Sequence, residues 1–508
     1  MNSAETFERV STTEALRQDL RSESVRGAIY MAVCGGGEFA VRLVSTFILA
    51  RILIPEHFGL ISMVTALTAM AGQFSQLGLS TVTVQRRDIN HRQVTNLFWI
   101  NVALGASLSA IFCFLSPAIA SFYRDTRLIP ITIAVSTAFL SSGLVVQHEA
   151  LLTRQMKQAQ SAFVRLAASF LSVCLAIGLA VSGFGYWALV WQEVSRGFFT
   201  AVGMWIFCPW RPGFPYPRED VRSLLRVGTD LTVTQLFSAV ASSVDRMLIG
   251  RLFGASPLGM YRQAQQLIMV PIDQLNAPIG SVSQPGLSVL QNDPSRYQRY
   301  YEKIVFFVGL LTMPIAAFGA VYAEDLTLLI LGDKWINAAP FIRIFAMGAF
   351  IRPVSGTIAT VLITCGKSRK LLALSFASQS TRLLLMAGGI GWGVKGVAMA
   401  EALTPAVLLL PLLYYSFAGT PVTLGTFFRA TRTPLLASAV MVVGLILLRS
   451  VVHETGPAMS VCLGGAVGGA LYLAGCQSLP RGRAEVSALV GDVTASLLRR
   501  PPQAVRER

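Results

Sequence analysis

Apolar residues fill this chain from about Gly27 to Gln477, broken at intervals by short polar stretches. A membrane-crossing helix needs about 20 mostly apolar residues, and about fourteen segments reach that length. They run over 27–53, 57–85, 93–116, 128–152, 158–182 and 185–208. The series goes on through 225–253, 257–290, 300–331, 337–364, 369–391 and 394–418, and ends with 433–452 and 458–478. The pattern predicts an all-α, polytopic membrane protein. The connection from Ser182 to Gly185 is so short that passes five and six should form a tight antiparallel hairpin. Trp99, Trp187, Trp205, Trp210, Trp335 and Trp392 fall near pass ends, where the amphipathic indole prefers the membrane interface.

Basic residues sort by connection. Every second connection is rich in them: Arg86, Arg87 and Arg92; Arg154 and Lys157; Arg211, Arg218, Arg222 and Arg226; Arg296, Arg299 and Lys303; Lys367, Arg369 and Lys370; Arg429 and Arg432. The connections between hold only Arg51, Arg124, Arg127, Arg251, Arg262, Lys334, Lys395 and Arg449. Short cytoplasmic loops retain positive charge, so about 17 against about eight places both chain ends in the cytoplasm. Residues 1–26 lack the apolar core and small-residue cleavage site of a signal peptide. The first pass carries Glu38 and Arg42 and should be kept as a helix.

Composition adds little to this picture but removes one reading. Hydrophobic residues make up 53% and charged residues 13%, where soluble domains have about a quarter charged. A net charge of +16 would suggest nucleic acid in a soluble protein. Here the excess lies in the orienting loops and the tail, so no nucleic-acid partner is expected. The tail arginines, Arg481 to Arg508, suit anionic lipid. The seven cysteines form no CxxC and read as small buried hydrophobes. The four histidines have no metal-ligand spacing.

Four prolines within nine residues, Pro209, Pro212, Pro215 and Pro217, interrupt the series after the sixth pass. They forbid a helix and favour an extended linker. The expected organisation is a cytoplasmic tail over 1–26, a six-helix lobe over 27–208, the linker over 209–224, and a second six-helix lobe over 225–418. Two further helices over 419–480 and a basic tail over 481–508 complete it. The lobes look related. FILARILIPEHFGLISM closes the first pass and MLIGRLFGASPLGMYRQ closes the seventh, with Arg51 and Gly59 spaced like Arg251 and Gly259. Two bundles of one design with a substrate path between them is a common transporter plan. A shared interfacial turn without common ancestry is the alternative.

Charges inside a bilayer cost at least a few kcal/mol on insertion scales, and these passes hold many. Glu38 and Arg42 share a helix face in pass one. Arg165, Glu193 and Arg196, Asp230, Asp245 and Arg246, Asp273, Arg343, Arg352, Arg382 and Glu401 follow. Arg42, Arg165, Arg196, Arg352 and Arg382 are the candidate lining of a cationic cavity. Such a cavity favours an anion, and the planar guanidinium suits phosphate. Arg352 and Arg382 have no carboxylate at helical spacing along the chain. Glu38, Asp245, Arg246 and Asp273 are candidates for ion coupling or for structural pairing. There is no P-loop, and no outer connection is long enough to hold a sugar polymer for an enzyme to act on.

The motifs ARILIPEHFGLISM, LGLSTVTVQRRDI, DRMLIGRLFGASPLGMY, SVSQPGLSVLQND and AEDLTLLILGDKWINAAP resemble the polysaccharide-transport branch of the multidrug/oligosaccharidyl-lipid/polysaccharide exporter superfamily, the Wzx-like flippases. The likeness covers about residues 25–420 and is nearest to colanic-acid-type and succinoglycan-type exporters. It implies two lobes around a central cavity in the bacterial inner membrane. It also implies movement of an oligosaccharide linked to undecaprenyl pyrophosphate toward exopolysaccharide or lipopolysaccharide synthesis, without a cofactor or enzymatic activity. A polysaccharide polymerase and a chain-length regulator are the implied protein partners. A drug or metabolite antiporter of the same superfamily and a membrane polysaccharide polymerase are the other readings.

The charge pattern places the Pro-rich segment in the cytoplasm. A Pro215→Cys variant on a cysteine-free background should resist impermeant thiol labelling in intact cells and react after the membrane is opened. Labelling from outside alone would overturn the topology.

Overall fold

The computed structural model describes residues 20–76, 80, 83–84, 89–216, 240, 243–451, 456–479 and 482–483. Among them, fourteen helices of ten residues or more follow one another and no strand occurs. These are α1 (Leu20–Ile52), α2 (Pro55–Gln76), α3 (His91–Tyr123), α4 (Leu128–Arg154), α5 (Gln158–Val181), α6 (Trp187–Phe207) and α7 (Val244–Phe253). Then come α8 (Ala255–Val289), α9 (Pro294–Val321), α10 (Ala339–Thr364), α11 (Ser368–Gly389), α12 (Gly393–Phe417), α13 (Leu424–Val451) and α14 (Pro457–Ser478). Nine stretches among the described residues are long and apolar enough to cross a membrane, one of them holding both α11 and α12. The chain is therefore an all-α, multi-pass membrane protein. The expected seventh pass is described only over Val244–Phe253. Asp230, Arg218, Arg222 and Arg226 lie outside the described residues.

Two compact units divide the chain: residues 1–262 with 330–334, and residues 263–329 with 335–508. In the first, α3 packs on α4, α5 on α6, α1 on α5 and α4 on α6. In the second, α9 packs against α10 and α13, α12 against α10 and α11, and α13 against α14. Lipid forbids unpaired backbone polar groups, so each run satisfies its own ladder as a helix. Prolines inside α3, α8, α9, α10, α12 and α13 each remove one rung.

The described part of the Pro-rich stretch, residues 208–216, forms no helix and is docked rather than free. Trp210 is fully buried against Phe98 and Leu151, and its Nε1 donates to His91 Nδ1 at 2.9 Å. Asn96 Nδ2 donates to the Tyr216 carbonyl at 2.8 Å and its Oδ1 accepts the Tyr216 N–H at 2.7 Å. Trp99 Nε1 donates to the Gly213 carbonyl at 2.9 Å. A segment with so many prolines has few backbone donors to pair with itself, and the first turns of α3 supply its partners.

The repeated turn has a steric reason. A Cβ at Gly59 would lie 1.8 Å from the Ala255 carbonyl oxygen, and one at Gly259 would lie 1.9 Å from that of Pro55. Pro55 and Gly59 stand in α2 where Ala255 and Gly259 stand in α8. Each copy of the turn thus receives the other's carbonyl, the reciprocity of a two-fold contact. This contact holds α7 and the start of α8 within the first unit. Nearby, the α3–α4 turn is closed by Arg127, which pairs with Asp125 at 2.7 Å and Glu56 at 2.6 Å. Hydrogen bonds from Arg127 hold the Asp125 carboxyl below its usual range.

Substituting either glycine of the crossing by alanine should lower folded abundance and thermal stability by several kcal/mol, since overpacking against backbone exceeds the usual range of about 1–3 kcal/mol. Gly469→Ala, where nothing lies within 4 Å of the new methyl, should be neutral or stabilise by about 0.5–1 kcal/mol. Thermal unfolding of the three purified variants measures the difference.

Candidate functional site

In the first unit the charged side chains converge from four helices. Glu38 and Arg42 stand one turn apart on α1, and Glu193 and Arg196 on α6 form an ion pair at 2.6 Å. Gln192 Nε2 donates to Ser45 Oγ at 3.0 Å and ties α6 to α1 close by. Arg42 lies within electrostatic reach of Arg196, Glu38 and Glu193. Arg262 on α8 lies within reach of Arg246, Asp245 and Arg42. Asp245 is buried, and its Oδ2 accepts from the Tyr261 hydroxyl at 2.9 Å. Arg246 Nη2 donates to Ser243 Oγ at 2.8 Å.

Charge interactions link Arg42, Arg196, Arg246 and Arg262 with Glu38, Glu193 and Asp245. Arg262 belongs to this group and lies inside α8 rather than in a connection. Its position one residue after a buried tyrosine, within a run of membrane-helix length, was the signal available in the sequence. Arg165 stands apart from this group, paired with Glu149 of α4 at 2.5 Å.

The second unit arranges its charges differently. Arg382 Nε lies 2.6 Å from Glu401 Oε2, with both side chains largely buried at 13% and 14% exposed. Arg352 is half exposed and lies 4.0 Å from Glu401. Its Nη1 is also 3.8 Å from the Met269 sulfur. Arg352 and Asp273 both line a cavity of about 320 Å³ between α8, α9 and α10. Their charges interact across it. Two guanidiniums therefore meet two carboxylates here. Arg352 and Arg382 lack carboxylates along their own helices, as read above, but Glu401 reaches both from α12. That pairing is tertiary, and no spacing within α10 or α11 announces it. The five candidate arginines thus fall into three settings: Arg42 and Arg196 in the arginine group, Arg165 and Arg382 in ion pairs, and Arg352 on the cavity wall.

An all-α chain with many membrane-length helices and charge held among them is, as a class, a multi-pass membrane protein. The comparisons place it further. The chain belongs to the polysaccharide biosynthesis protein family, whose model matches residues 48–340. It is 26% identical over 401 residues to the lipopolysaccharide biosynthesis protein WzxC of Escherichia coli strain K12, covering 78% of this chain and 80% of that one. It is 22% identical over 446 residues to the succinoglycan biosynthesis transport protein ExoT of Rhizobium meliloti strain 1021, covering 86% and 89%. Among solved structures, the lipid II flippase MurJ in an inward closed conformation matches with a TM-score of 0.73 at 12% identity, covering 89% of this chain and 99% of MurJ. The sequence matches bear out the resemblance drawn from the motifs, and the structural match shows a shared fold.

The Arg382–Glu401 pair should act structurally. Arg382→Leu alone should deplete folded protein, because an orphaned buried charge costs about 3–5 kcal/mol. The double variant Arg382→Leu/Glu401→Leu should recover abundance, since an apolar pair of similar volume can replace a buried ion pair. Quantified membrane protein and thermal unfolding check this. Equal depletion in both variants would argue against it.

Proposed function

We propose that the protein is a flippase. It carries an oligosaccharide repeat unit on undecaprenyl pyrophosphate from the cytoplasmic to the outer leaflet of the bacterial inner membrane, by alternating access. The observation that carries this reading is the gathering of Arg42, Arg196, Arg246 and Arg262 from four helices into one interacting group at membrane depth. Guanidinium groups at membrane depth need an opposite charge, a ligand or water. A pyrophosphate supplies the anion and accepts the paired hydrogen bonds that guanidinium groups donate. The names of WzxC, ExoT and MurJ agree with a lipid-linked glycan as cargo. Both termini lie in the cytoplasm on the charge pattern of the loops. The protein makes and breaks no bond in its cargo. A polymerase and a chain-length regulator take up the delivered unit.

Deleting the gene should stop polymer export and leave lipid-linked repeat units in the inner leaflet. Returning the gene with Arg42→Ala or Arg262→Ala should restore export poorly. The lost charge-assisted hydrogen bonds, about 1.5–3 kcal/mol, correspond to about a tenfold to hundredfold weaker hold on the head group. Arg→Lys should rescue in part, since lysine keeps the charge and loses the planar fork. Export and membrane abundance are measured together. Normal polymer export from the deletion strain, with no second flippase gene present, would overturn the reading.

A further inference from the structure

The cavity between α8, α9 and α10 has a lining of two kinds. Stripes at helical spacing on α8 and α10 bring Asp273, Asn276, Arg352 and Thr360 to it, while α9 contributes Ile304 and Val308. Asn276 Oδ1 is buried and has no hydrogen-bond partner among the described residues. A buried acceptor left this way carries an uncompensated desolvation cost unless a donor reaches it. Arg352 is half exposed and offers donors to the same space. Asp273 offers acceptors there. One positive and one negative group leave the lining neutral, so it holds no bias toward a free ion of either sign. Its size points the same way. A site for one dehydrated ion is near the ~30 Å³ share of a single water, and about 320 Å³ is far larger. A six-membered sugar ring fits both the volume and the pattern. Its hydroxyl rim donates and accepts, and its C–H face is apolar.

We propose that this cavity is a subsite for a neutral hexose of the glycan, with Asn276, Asp273, Arg352 and Thr360 at the hydroxyl rim and Ile304 and Val308 under the ring. It rests on the flippase reading for the source of the sugar. The cavity belongs to the second unit and the arginine group to the first. Gly280 and Gly356 line the same space, and nothing lies within 4 Å of a Cβ added at either. A larger side chain there would enter the cavity without meeting backbone.

The test uses the full-length protein in lipid nanodiscs and saturation-transfer-difference NMR. The probes are methyl β-D-glucopyranoside, methyl β-D-galactopyranoside and methyl β-D-glucuronide. At least one neutral glycoside should bind, and the uronate should bind no more tightly. Asn276→Ala should weaken binding about tenfold, equivalent to about 1.4 kcal/mol, and Gly356→Leu should abolish it. Gly469→Ala, outside the cavity lining, should leave it within twofold, roughly the scatter expected of independent sites. Each variant is first checked for wild-type elution and unfolding temperature, and Asn276→Ala carries the test alone if Gly356→Leu does not fold. No binding of any neutral glycoside, or binding unchanged in Asn276→Ala, overturns the subsite. Loss in Gly469→Ala equal to that in Asn276→Ala also overturns it. Failure here with export still abolished by gene deletion removes the subsite and keeps the flippase. Glycoside binding alongside normal export from the deletion strain does the opposite.

Discussion

A guanidinium group inside a membrane must be answered by an opposite charge, by water or by a ligand, and that requirement organises this protein. The second unit answers within itself. Glu401 of α12 lies 2.6 Å from Arg382, and Arg352 shares a cavity with Asp273. The first unit gathers Arg262, Arg42, Arg196 and Arg246 beside Glu38, Glu193 and Asp245. An anionic cargo is the proposed ligand of these guanidinium groups. A head group bound there would be held by charge, and its release needs only that the same groups meet water.

Backbone sterics set where those arginines can stand. Arg262 follows Gly259 by less than one turn, and Gly259 is pressed against the Pro55 carbonyl. The crossing of α2 and α8 therefore fixes the start of α8, and with it the reach of Arg262 toward Arg246 and Arg42. Hydrogen bonding at the other end of the unit has a similar role. Asn96 and Trp99 hold the Pro-rich stretch against α3, so the chain leaves α6 along a defined path.

The helices were legible because lipid leaves the backbone one economical choice, and a run of apolar residues reports it directly. The start of α1 at Leu20 was less so. The residues before Gly27 are polar, and a helix can continue into water without an apolar signal. Of the candidate site, the sequence showed which residues carry charge at depth but not how they pair. Glu193–Arg196 is local and could be read from its spacing. Arg382–Glu401 and Arg165–Glu149 join different helices and could not. Asn276 carries no signal in the sequence because it is one of several amides in a proline-rich helix, and only its buried, unpartnered oxygen marks it. Cys174 and Cys462 are exposed, against the expectation of buried thiols, since lipid accepts them as readily as a core does.

The most direct test of the central claim is the thermal stability of the purified protein titrated with farnesyl pyrophosphate, a short prenyl diphosphate, compared between wild type and Arg262→Gln. A ligand that binds only the folded state stabilises it by about 2.7 kcal/mol at a hundred times its Kd. The account predicts a saturable rise in unfolding temperature for wild type, none with farnesol, and a much weaker rise for Arg262→Gln. An equal rise in both proteins, or an equal rise with farnesol, would contradict it.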